Sequence, residues 1–220
     1  MAENAASYMS GSDVLGLGSG STVAVFAKAL GKRVKNESMQ IKVVPSSMQS
    51  WLLAKENGLL IVEDSAHCPP SIDVAVDGAD QISLSTRAMI KGGGGALLKE
   101  KVIIESAEKC LILADESKFV HQLSRSVPVE STQFSVLSVE RKLVGGLGLM
   151  AELRKLDKGY PYYTESGNVI LDCKFKGPIG DPVGLESKIK SIPGVVEVGI
   201  FNCKVDKFYK ANHDGSFETY

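Results

Sequence analysis

The stretch VLGLGSGSTVAVFAKAL, Val14 to Leu30, decides the fold. Val14 to Gly18 reads as a short buried strand, because its apolar residues run without alternation into glycine. Ser21 to Leu30 reads as a helix, with hydroxyl residues at its start and apolar positions recurring at helical spacing. Strand, glycine-rich turn and helix open a βαβ unit, so a parallel sheet with crossover helices is expected downstream.

The alternation continues to about Ser126. Strands are expected over Ile41 to Val44, Leu59 to Val62, Ile72 to Val76 and Leu111 to Ala114, with helices over Met48 to Glu56 and Gly95 to Ser106. Near Val127-Pro128 the rhythm changes to helix, strand, strand, helix, strand, an α+β style. The expected elements are Val136 to Val144, Ala151 to Leu156 paired with Asn168 to Phe175, Pro182 to Ser191 and Val195 to Phe201. Asp206 to Ala211 is expected to return to the first domain.

In open α/β sheets ligands bind beyond the carboxyl ends of the strands, and four motifs fall there. GLGSGST, Gly16 to Thr22, offers N–H groups and the hydroxyls of Ser19, Ser21 and Thr22 to an oxyanion such as phosphate. A dinucleotide fingerprint is disfavoured, since Ser21 takes the third glycine position and the next strand runs into Pro45-Ser46-Ser47 rather than an acid. A βα turn without a ligand is the plain alternative.

DGAD, Asp77 to Asp80, puts two carboxylates around Gly78 and Ala79 at a strand end. They suit proton exchange with hydroxyl groups, or else form a turn with one capping aspartate. KGGGGALLKE, Lys91 to Glu100, sets a lysine before Gly92, Gly93, Gly94 and Gly95, and a glutamate inside the helix that follows. Four glycines pack no side chains, which suits a backbone brought close to a ligand, and a helix start favours negative charge. Glu100 can accept a carbon-bound proton while Lys91 and glycine N–H groups stabilise the resulting enediolate. A solvent-facing Lys-Glu helix start is the alternative. ADESK, Ala114 to Lys118, supplies Lys118 to an anion, or a solvated surface charge.

Bulk properties exclude several classes. The chain has 220 residues, 44% hydrophobic, with a net charge of -1, which gives no electrostatic case for nucleic-acid or anionic-membrane binding. Cys68, Cys110, Cys173 and Cys203 are widely spaced and read as thiols rather than disulfides, and His67, His121 and His213 show no metal-ligand spacing. With no signal-peptide pattern and no membrane-length apolar run, a cytoplasmic protein is expected.

Taken in order, GLGSGST, DGAD, KGGGGALLKEK and ADESK resemble the signature of the ribose-5-phosphate isomerase A family, and PVE at Pro128 to Glu130 and GNVILD at Gly167 to Asp172 extend the likeness. The resemblance implies an α/β fold, with a Rossmann-like catalytic domain over 1–126 plus 205–220. A smaller ferredoxin-like α+β domain over 127–204, near the C-terminus, would serve as lid and in oligomerisation. It implies cofactor-free, metal-free interconversion of D-ribose 5-phosphate and D-ribulose 5-phosphate by a homodimer or dimer-based tetramer. On the matching positions, Glu100 is the general base, Lys91 supports the enediolate, and Asp77 and Asp80 handle ring opening and hydroxyl protons. Ser19, Gly20, Ser21, Thr22, Gly78, Ala79, Gly92, Gly93, Gly94 and Lys118 are implied to contact substrate.

The chain departs from the pattern in places. Ser19 stands where many members have threonine, Gln81 follows DGAD where an acid is common, and few residues precede the first strand where members carry a longer lysine-bearing helix. The rival readings are an aminosugar-phosphate isomerase/deaminase or CoA transferase on a similar scaffold, and a sugar-phosphate-sensing regulatory domain. DGAD with KGGGG and ADESK argues against the two enzymes. A sensor would need a DNA-binding module, for which the segment before the first strand is too short.

Overall fold

A computed structural model describes residues 1–62 and 71–220; Cys68 and His67 lie outside that range. In chain order, α1 Ala2–Ala6, β1 Val14–Leu17, α2 Ser21–Glu37, β2 Lys42–Pro45, α3 Met48–Glu56, β3 Leu60–Ile61 and β4 Ile72–Asp77 come first. Two short strands, β5 Gln81–Ser83 and β6 Met89–Ile90, precede α4 Leu97–Ser106 and β7 Ala107–Asp115. There follow β8 Phe119–Val120, β9 Val127–Ser131, α5 Val136–Leu147, β10 Met150–Leu153, β11 Val169–Lys174, α6 Pro182–Lys190 and β12 Val195–Val198. Last are β13 Ile200–Phe201, β14 Lys207–Ala211 and β15 Phe217–Thr219.

These elements form two compact units. The first comprises Met1–Ala79, Lys99–Lys118 and Cys203–Tyr220, and the second Asp80–Leu98 and Phe119–Asn202. Residues 80–98 and 119–126, expected with the catalytic domain, thus cluster with 127–202, because β5, β6 and β8 pair with one another and with β13.

The first unit is built on a sheet of order β15-β14-β7-β4-β1-β2-β3, parallel except for the edge pair of β15 with β14. From β1 the chain steps outward through β2 and β3, then returns to place β4 on the other side of β1. That reversal is the topological switch point, where the carboxyl ends of two neighbouring strands leave a crevice. Leu15, Leu17, Val74, Val76, Leu111 and Leu113 bury one face of this sheet with Val23, Phe26 and Leu30 of α2. Gly16 leaves no side chain at its position, where a Cβ would lie 2.3 Å from Ile103 Cγ2 of α4.

The second unit contains a β-α-β-β-α-β run, β9-α5-β10-β11-α6-β12, in an antiparallel sheet of order β10-β11-β9-β12. That is the ferredoxin-like arrangement. Val127, Val129, Leu171, Cys173 and Val198 pack one sheet face against Val139, Leu143 and Ile189 of the helices.

Three expectations need correction. The expected strand Val195 to Phe201 is broken at Gly199 into β12 and β13, which belong to different sheets. The second unit, expected to open near Val127-Pro128 with a helix, carries there a strand, Val127–Ser131, flanked by β11 and β12. The helix expected from Gly95 begins at Leu97, because Gly95 has φ +86 and cannot join a right-handed helix. Among the described residues no helix is long and apolar enough to cross a membrane.

Candidate active site

In the first unit Ser19, Asp77 and Glu100 meet at the switch point. Gly18 N–H donates to Val76 O at 2.9 Å, tying the loop after β1 to the end of β4. A Cβ on Gly18 would sit 2.0 Å from Asp77 Cγ, so only glycine lets that carboxylate lie against the loop. Asp77 is 2% exposed, and its Oδ1 accepts from Gly78 N at 2.7 Å and Ser19 N at 3.3 Å. The Ser19 hydroxyl donates to Glu100 Oε1 at 2.6 Å. Glu100, on the first turn of α4, is 4% exposed. One serine therefore joins two buried carboxylates that lie far apart in sequence.

The same loop carries the GLGSGST residues expected to take an anion. Gly20 caps α2 with φ +101, and its N–H donates to Gln49 Oε1 on α3 at 3.0 Å. Ser21 and Thr22 then open α2, where the first amide N–H groups have no intrahelical acceptor. Gly78 and Ala79 are half-buried beyond Asp77. Lys118 ends a 3-10 turn, Glu116–Lys118, after β7. Burial works to raise the Asp115 carboxyl, but the Ser117 hydroxyl and amide and the Lys118 charge outweigh it and hold it below the usual value.

The second unit holds Asp80, Lys91 and the glycines. Asp80 Oδ2 accepts from Gly93 N at 2.8 Å, and a Cβ on Gly93 would lie 2.8 Å from that carboxylate. Lys91 follows β6, is 3% exposed, and its ammonium lies 5.4 Å from the Phe201 ring centroid. Lys91 N donates to Gly199 O at 3.0 Å and Gly199 N to Pro128 O at 2.7 Å. A Cβ on Gly199 would meet Lys91 O at 2.6 Å, so the glycine that breaks the β12–β13 run is the seat of this lysine. The glycine loop is not a bare row of outward N–H groups. Gly95 N–H turns back to Gly92 O at 2.9 Å, and Gly93 N–H is taken by Asp80.

Comparison with known proteins fits this layout. Residues 42–215 match the family model described as ribose 5-phosphate isomerase A (phosphoriboisomerase A). The chain belongs to the ribose 5-phosphate isomerase A family. A ribose-5-phosphate isomerase A of Methanosarcina acetivorans is 44% identical over 97% of this chain and 89% of that protein. One of Archaeoglobus fulgidus is 45% identical over 86% of this chain and 83% of its own length. The solved ribose 5-phosphate isomerase A of Methanocaldococcus jannaschii superposes with a TM-score of 0.91 at 35% identity, covering 100% of this chain and 95% of its own. A D-ribose-5-phosphate isomerase in complex with phospho-erythronic acid gives 0.91 at 36% identity over the same shares.

In this family member, some residues that hold the site carry no motif. Gln49, Arg154, Tyr162 and Gly199 were not found by sequence reasoning. Gln81, noted only as a departure, anchors the chain by accepting from Ser124 N at 2.7 Å and Arg125 N at 2.9 Å. A glutamine with one carbonyl and two neighbouring amides in reach leaves no pattern along the chain.

Proposed function

We propose that the chain interconverts D-ribose 5-phosphate and D-ribulose 5-phosphate through an enediolate, with Glu100 as the general base. The observation that carries the reading is the buried Glu100 carboxylate held by Ser19 beside Asp77, in a chain of this family. Removal of the C2 proton by Glu100 turns the C1 aldehyde into an enediolate oxygen. Protonation of O1, loss of the O2 proton and return of a proton to C1 complete the ketose. Asp77 and Asp80 are the carboxylates assigned to ring opening and to the hydroxyl protons.

Lys91 and the glycine backbone are assigned to the developing negative charge, where a preorganised donor is worth about 3 kcal/mol in comparable sites. Ser19, Gly20, Ser21 and Thr22 are assigned to the phosphate, supported by the helix start at Ser21, with Lys118 as a further cation at the carboxyl edge of the same sheet. Gly78, Ala79 and Gly92 to Gly94 complete the proposed substrate contacts. The relative that binds phospho-erythronic acid supports this reading, since a carboxylate joined to a phosphate shares the charge layout of an enediolate phosphate.

The assembly in this reading is a homodimer or dimer-based tetramer, working in the cytoplasm. Phe134 at 101% exposure and Leu137 at 67% support association through the second unit. The test of function is ketose formation from ribose 5-phosphate beside allose 6-phosphate and glucosamine 6-phosphate. Conversion of ribose 5-phosphate well above the others is expected, and no conversion of it would transfer the case to the rival sugar-phosphate enzymes or a sensing role.

A further inference from the structure

The carbonyl side of the glycine run is held by residues outside every motif. Arg154, directly after β10, donates from Nη1 to Gly92 O at 3.1 Å and Gly93 O at 3.0 Å. Its own orientation is set by Asp172 on β11, which accepts from Nε at 2.8 Å and from Nη2 at 2.6 Å. The two side chains are only 15% and 29% exposed, so this is a fork-to-fork pair partly shielded from water. Tyr162 adds a third hold, its hydroxyl donating to Gly94 O at 3.1 Å, and its ring centroid lies 5.9 Å from the guanidinium.

Peptide planarity turns these carbonyl bonds into control of the opposite side. In a trans peptide the N–H of one residue points away from the C=O of the residue before it. With Gly92 C=O drawn to Arg154, Gly93 N–H faces away from it, where it donates to Asp80. With Gly93 C=O also drawn to Arg154, Gly94 N–H is turned the same way, and among the described residues it donates to no protein group.

We propose that Arg154, locked by Asp172, is a positioning residue for the isomerisation: it aims Gly93 N–H at Asp80 and Gly94 N–H toward the substrate. Arginine suits the task for a geometric reason. Its planar fork binds the carboxylate with two nitrogens and still reaches two carbonyls, whereas a lysine ammonium cannot hold all four acceptors in one plane. The inference rests on the isomerase reading, and its test separates the two.

Arg154→Ala, Arg154→Lys and Tyr162→Phe are to be assayed against the parent protein on ribose 5-phosphate, with and without low millimolar guanidinium chloride, and with sodium chloride as control. The expected result for Arg154→Ala is a kcat lower by about 10- to 100-fold, the scale of a small misplacement of catalytic groups, with KM changed by less than about threefold. Guanidinium should restore part of kcat and sodium chloride none. Arg154→Lys should remain impaired, and Tyr162→Phe should lose less. Amide hydrogen exchange at Gly93, whose N–H is held by Asp80, should quicken in Arg154→Ala, a readout independent of turnover and of the parent's substrate. A folded Arg154→Ala with parental kcat and unchanged exchange would overturn the proposal, as would full activity in Arg154→Lys. An inactive parent would instead remove the isomerase reading. If Arg154→Ala does not fold, Arg154→Lys decides on the same two readouts, kcat and amide exchange at Gly93.

Discussion

The loop after β1 and the glycine loop after β6 are both glycine-rich, yet they are held in different ways. Gly18, Ser19 and Gly20 are fixed by a neighbouring strand end, a motif aspartate, a motif glutamate and Gln49. Gly92, Gly93 and Gly94 are fixed by Arg154 and Tyr162, more than sixty residues away in sequence, together with the motif residues Asp80 and Gly95. The first loop therefore holds its chemical groups directly. The second exposes backbone groups whose aim is set from behind.

Several measurements can break or sharpen that contrast, beginning with the largest effect. Glu100→Gln keeps the shape of the group that Ser19 holds while removing its basicity. It should lower kcat by about 10² to 10⁴ while substrate binding, followed by calorimetry, persists. Near-parental turnover would sink the assignment of the base. Gly18→Ala and Gly94→Ala compare the two loops at single atoms. A methyl on Gly18 drives into the Asp77 carboxylate, whereas Gly94 has no atom within 4 Å of the added carbon. Gly18→Ala should cost about 1–3 kcal/mol of stability by denaturant titration, and Gly94→Ala little. Equal losses would show that close approach is not what distinguishes the loops.

A smaller effect concerns the sheet behind the glycine loop. Burial, and secondarily the Asp172 charge, push the Cys173 thiol up to about 12 from 9.0. The unfolded thiol ionises first, so this contribution to stability is complete below about pH 9 and is lost as pH rises toward about 12. Parental protein should lose stability over that window more steeply than Cys173→Ala. At pH 8 a thiol reagent should label Cys173 only after unfolding, and rapid native labelling would contradict the tight packing of β11.

Much of this was legible in the chain itself. Met48–Glu56 has the expected bounds, with Ser47 as N-cap, because a capping box is a local pattern. Asp206 to Ala211 was expected to return to the first domain, and Lys207–Ala211 pairs in parallel with β7 of the first sheet. The small sheet of β5, β6, β8 and β13 was not legible, since its strands have two or three residues and exist through pairing rather than propensity. Gln49 and Arg154 were missed for a related reason. Each satisfies backbone groups, and a backbone N–H or C=O looks alike at every position.

By itself the sequence determined the strand–loop–helix opening, the motif acids and lysines, and the family. These depend on residue type at short spacing, which the chain states directly. The tertiary structure decided that Gly18 makes room for Asp77, that Gly199 seats Lys91, and that Arg154 stands behind the glycine loop. Those facts are distances between residues remote along the chain, and folding is the step that creates them.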